Sequence, residues 1–166
     1  MNVTHFEETS FIGFDTLSKV WIYPSVDILP EKVVEEITLL LKDFTHNWTA
    51  HNNALKASGV VLYNRFIVLV VDETQSTASG CSIDKSVNFI KNLEAKYGLN
   101  LFDRLRIFYQ ENNEMKDFHL SDLKDMLALN KLSMNTKVYD STITNLGDFQ
   151  KDFSKELQDS WLKRFI

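Results

Sequence analysis

The residue with the widest chemical range in this chain is its single cysteine, Cys81, set in the string Ser79-Gly80-Cys81-Ser82-Ile83-Asp84. The string reads as the start of a helix. The first turn of a helix carries unpaired N–H groups and a partial positive charge, so it can hold an anion. A thiol placed there can have a lowered pKa and become a better nucleophile. His51 would then act as its base and Lys56 would hold a negative group of the substrate. Trp48, Ser79, Gly80 and Ser82 complete the candidate ligand-binding set. Each residue also has a plainer use. Ser79 and Ser82 are good caps for their own helix, and a solitary Cys commonly just packs. The expected function is therefore binding or regulation through a small anionic ligand, with a Cys81–His51 enzyme as the alternative.

Only a particular fold brings these residues together. Val20-Trp21-Ile22-Tyr23 predicts a short strand closed by Pro24. Pro30 sits where a helix would start. From there Val33, Val34, Ile37, Leu40, Leu41, Phe44 and Trp48 recur at three- and four-residue steps, one helical face. Glu31, Glu35 and Glu36 lie near the end that favours negative charge. Residues 57–63 and 66–73 are rich in Val, Ile and aromatics, as strands are, and Asn64-Arg65 suits the turn between them. The second of these strands is apolar on both faces and should be central. Ile83, Val87, Ile90, Leu93 and Tyr97 mark a second helix that stops at Gly98. Residues 105–109 predict a fourth strand.

The order is strand, helix, strand, strand, helix, strand. It predicts an α+β chain with a ferredoxin-like βαββαβ core. If the first helix crosses between parallel strands, its C-terminus lies where the next strand begins, and the hairpin returns the chain to that end. Trp48, His51, Lys56, Asp72, Glu73 and residues 79–84 should then share one sheet edge.

One domain is expected over residues 1–166, with an N-terminal arm at 1–18, the core at 19–111 and a C-terminal helix-strand-helix annex at 112–166. In the annex, Asn112-Asn113 predicts a turn, Ser121 a cap for a short helix with Leu123, Met126 and Leu127, and residues 136–144 a fifth strand. Phe149, Phe153, Leu157 and Trp161 are spaced by four and predict a final amphipathic helix docked on the body. An undocked helix would instead offer that stripe to a second copy in a homodimer or to a protein partner, an interaction-module reading.

Other chemistries are disfavoured. The chain has 166 residues, 44% hydrophobic, and a net charge of −5, which suits one folded domain and argues against a nucleic-acid partner. Arg104 and Arg106 alternate along the fourth strand, but no RNP1-like string accompanies them. One Cys excludes an internal disulfide and a Cys-rich zinc site. His5, His46, His51 and His119 make no H-E-x-x-H, and Asp43 with His46 reads as a solvated helix surface, so neither a metal nor a cofactor is expected. Asp72 and Glu73 are adjacent on a strand and point to opposite faces, as a charged strand end does. The longest apolar run, Phe66 to Val71, is far short of the roughly 20 residues that span a bilayer. With no basic, apolar leader at the N-terminus, a soluble cytoplasmic protein is expected.

Several strings look familiar together: Val20-Trp21-Ile22-Tyr23-Pro24-Ser25, Trp48-Thr49-Ala50-His51, Leu55-Lys56-Ala57-Ser58 and Tyr63-Asn64-Arg65-Phe66. With them go Val71-Asp72-Glu73, the Ser79-to-Asp84 string, Leu101-Phe102-Asp103-Arg104 and Asp159-Ser160-Trp161-Leu162-Lys163-Arg164-Phe165. Over roughly residues 18–166 the chain resembles a small bacterial family often catalogued as "ABC transporter ATPase". That label implies ATP hydrolysis. The chain has no G-x-x-x-x-G-K-[ST] loop to wrap phosphates, and neither G-x-G-x-x-G nor G-x-S-x-G.

Overall fold

The computed structural model describes residues 11–166; the first ten residues of the expected N-terminal arm lie outside them. The described chain runs β1 (Lys19–Pro24), α1 (Glu31–Asn47), a small hairpin of β2 (Thr49–Ala50) and β3 (Asn53–Ala54), then β4 (Lys56–Leu62), β5 (Phe66–Asp72) and α2 (Gly80–Tyr97). It continues through β6 (Arg106–Glu111), β7 (Glu114–His119), α3 (Leu123–Ala128), β8 (Lys137–Tyr139), α4 (Leu146–Asp152) and β9 (Ser154–Glu156). Tight 3₁₀ turns occupy Leu120–Asp122, Leu157–Asp159 and Trp161–Phe165. The content is mixed α and β.

In the first sheet β5 lies between β1 and β4 and is antiparallel to both. β1 and β4 are therefore parallel, and α1 makes the crossover that parallel strands require. Every residue of β5 is buried. Phe66, Val68 and Val70 enter one core, and Ile67 and Leu69 enter the other. The β4–β5 turn holds Tyr63 and Asn64 at φ 55° and 52°, a region Asn tolerates. α1 starts after Pro30 and buries Ile37 and Leu41 against this sheet. A Cβ at Gly59 would lie 3.0 Å from Leu41 Cδ2, so glycine lets the helix sit directly on β4.

The expected fourth strand does not complete this sheet. β6 pairs with β7 and β8 in a second antiparallel sheet of order β7-β6-β8-β9. The reason is local: Asn112 and Asn113 both have positive φ, a two-residue turn that folds β7 straight back on β6. The outer edge of β1 is meanwhile bonded to other chain, with Val20 N donating to Thr144 O at 2.9 Å and Leu146 N to Ser18 O at 2.9 Å. β6 is apolar on both faces. Phe108 joins Phe66, Tyr139, Phe149 and Phe153 between the sheets, while Ile107 and Tyr109 join Leu123, Leu157 and Leu162 on the other side. The result is four layers: α1 and α2, the first sheet, the second sheet, and the C-terminal turns with α3. Arg65, buried in the β4–β5 turn, and Arg106 on β6 both pair with Asp117 on β7, which ties the two sheets at one end.

The expected final helix is also corrected. α4 stops at Asp152, and β9 then pairs with β8. The annex is built from β7, α3, β8, α4 and β9 instead of helix-strand-helix. Phe149, Phe153 and Leu157 are buried in the protein's own cores and Trp161 packs at the margin of one. Three of the four stripe residues are thus turned inward and only Trp161 is partly exposed. The turn at Leu120–Asp122 is capped by the His119 ring, not by Ser121.

Candidate functional site

The β2–β3 hairpin, the end of β5 and the start of α2 meet at one edge, as the topology requires. Trp48 ends α1 in extended conformation. Its ring packs on Phe44 at 5.0 Å and Trp21 at 6.0 Å, and its Nε1 donates to Ser82 O at 2.8 Å. Ala50, Leu55, Val71 and Ala78 bury around it. Ser79 Oγ accepts from Ser82 N at 3.2 Å, and Ser82 Oγ accepts from Ser79 N at 2.7 Å, a reciprocal capping box.

Lys56 Nζ lies 3.1 Å from Asp72 Oδ2 and donates to Gly13 O at 2.6 Å, over the Phe14 ring. The Asp72 side chain is 2% exposed. It accepts from Thr74 Oγ1 at 2.7 Å, Thr74 N at 3.0 Å and Asp15 N at 3.1 Å. The Thr74 bonds foremost, helped by Asp15 and Lys56, hold this carboxyl well below the usual carboxylate range against the opposing effect of burial. Glu73 accepts from Ala78 N and pairs with Lys19.

Cys81 and His51 are both exposed. Among the described residues no side-chain hydrogen bond or ion pair joins them. His51 occupies a positive-φ position at the tip of the β2–β3 hairpin. The space above Gly80 is open, with nothing within 4 Å of a Cβ placed there. Of the predicted site residues, the fold thus unites Trp48 with Ser82 and Ser79 with Ser82. It commits Lys56 to Asp72 and leaves Cys81 and His51 unconnected. Among the described residues there is no group of three or more His, Cys, Asp or Glu placed to hold a metal, and no helix long and apolar enough to cross a membrane.

A second feature was not legible in the chain. Where β6 begins and β7 ends, a groove of about 590 Å3 is lined by Leu105, Phe165 and Ile166 and by the basic residues His119, Lys124 and Arg164. No acidic side chain lines it. Its parts come from three stretches of sequence, with 14 positions from Leu105 to His119 and 40 from Lys124 to Arg164. The only local hint is the basic pair Lys163-Arg164 near Phe165. His119 Nδ1 accepts from Ser121 N at 3.2 Å and lies 2.7 Å from Ser121 Oγ. Arg164 Nε donates to Trp161 O at 3.2 Å, which leaves its terminal nitrogens available. Among the described residues neither Lys124 nor Arg164 is in an ion pair.

Comparison with known proteins returned no match among family models, curated proteins or solved structures.

Proposed function

We propose that the protein is a small-ligand binding or regulatory domain that takes an anion, and that the groove between Leu105, Lys124 and Arg164 is its site. One observation carries the reading. In a chain of net charge −5, counted with histidine neutral, the two cations Lys124 and Arg164 and no acidic side chain line this groove. Their attraction reaches about 8 Å at physiological salt. The edge at the start of α2 is less suited, because Lys56, Trp48, Ser79 and Ser82 spend their polar atoms on the fold itself. The test is a thermal-shift panel of phosphate, citrate and acetate on the wild type and on Lys124→Glu/Arg164→Glu. A ligand that binds only the folded state raises the midpoint. Stabilisation that disappears in the double variant supports the reading; no shift, or a shift that survives, opposes it.

The exposure of Cys81 keeps the thiol-enzyme reading as a second proposal. An alkylation rate that rises with an inflection well below about 8.5 would favour it, and an inflection near that value would oppose it. We further propose that the β1-β5-β4 sheet with α1 is the split half of a ferredoxin-like fold. Kinship with the bacterial family catalogued as "ABC transporter ATPase", and a cytoplasmic location, are proposals of the same kind. The ATPase activity in that label has no support in the sequence, which holds no phosphate-wrapping loop.

A further inference from the structure

We infer that the ligand of this groove is an alkyl carboxylate, with its head at Lys124 and Arg164 and its tail along Leu105, Phe165 and Ile166. The inference rests on the anion-binding reading above and adds the apolar half of the ligand. Other exposed large apolar side chains, such as Leu39 on α1 and Leu129 after α3, do not line this groove. Leu105, Phe165 and Ile166 instead converge, 49%, 41% and 51% exposed, on one groove. A ligand with only a charge would leave these three side chains wet. A ligand with only a tail would leave two unpaired cations unused. The Arg164 fork matches a carboxylate through paired N–H bonds, with Lys124 as a point charge beside it.

The experiment is calorimetric titration with acetate, hexanoate, octanoate and decanoate below their aggregation limits, with octanol as the uncharged control. A fully buried methylene tightens binding about fourfold, so a groove that stays half open should give about twofold per added methylene. Octanol should bind at least about tenfold more weakly than octanoate, and Lys124→Glu/Arg164→Glu should weaken octanoate about tenfold. Leu105→Ser, at an exposed position that the fold does not need, should flatten the dependence on chain length. Carboxylates that bind with equal affinity at every length, and lose it on charge reversal, would leave the anion reading standing and overturn the alkyl tail. Absence of carboxylate binding, or octanol matching octanoate, would overturn both.

Discussion

Asp72→Asn tests whether the α2 edge is a structural clasp. The amide keeps one oxygen for Thr74 but turns an NH2 toward the Lys56 ammonium and the Asp15 N–H, so two attractive contacts become donor-against-donor contacts. Charge-assisted hydrogen bonds contribute about 1.5–3 kcal/mol each. The Lys56 side chain is 34% exposed and can turn to water, which limits the loss. The net cost should be about 2–4 kcal/mol, below the about 3–5 kcal/mol for breaking a wholly buried pair. In a chain of this length that lowers the thermal midpoint by about 5–15 °C.

The effect has a pH signature. The folded carboxyl titrates below its unfolded value, near 3.9. Its contribution is present above about pH 4 and is lost as pH falls toward the folded value. The gap between wild type and variant should be full near neutral pH and shrink in acid. Urea unfolding followed by tryptophan fluorescence, at about pH 7 and about pH 3, reads both. A loss under about 1 kcal/mol at neutral pH, or a gap that does not shrink in acid, would refute the clasp.

Three further outcomes follow from the same geometry. Cys81→Ala should change stability by no more than about 0.5 kcal/mol and leave octanoate affinity unaltered, while the native thiol reacts completely with Ellman's reagent because it is exposed. Gly59→Ala should cost about 1–3 kcal/mol in denaturant titration, since its Cβ meets Leu41 Cδ2 at 3.0 Å and Leu69 Cδ2 at 3.2 Å; a neutral result would contradict the packing of α1 on β4. Burial, and then the Glu36 carboxylate that accepts from its phenol at 2.8 Å, push Tyr97 up to about 12. Its contribution to stability is full below about pH 10 and is lost as pH rises through the folded value. In a wild-type-minus-Tyr97→Phe ultraviolet titration one phenol should ionise near that raised value; ionisation near 10 would remove the burial argument.

What could be read from the chain was what local chemistry decides. Ser79 and Gly98 delimit α2 because a capping hydroxyl and a left-handed glycine (φ 64°) act within one turn. The apolar run from Phe66 marked β5 as central because a strand covered on both faces has no polar alternation. The failures share a cause. A spacing of four fits both the helical period and the strand period, so Phe149, Phe153, Leu157 and Trp161 suggested one helix where the chain makes a helix, a strand and two turns. Asn112-Asn113 was legible as a turn, but its consequence was not: it pairs β6 with β7 and takes the fourth strand away from β1. Lys56 was legible as a cation near the edge. That Asp72 and the Gly13 carbonyl consume it depends on the arm folding back across 43 residues. The groove depends on such distant meetings, and locally only the basic pair Lys163-Arg164 beside Phe165 hints at it.

A structural α2 edge and a ligand in the basic groove are separated by one experiment. The most direct measurement is a backbone-amide NMR titration of the whole protein with octanoate. Shifts are expected at Leu105, at residues 119–124 and at residues 164–166, with residues 79–84 unmoved. Shifts centred on 79–84, with the groove silent, would contradict it.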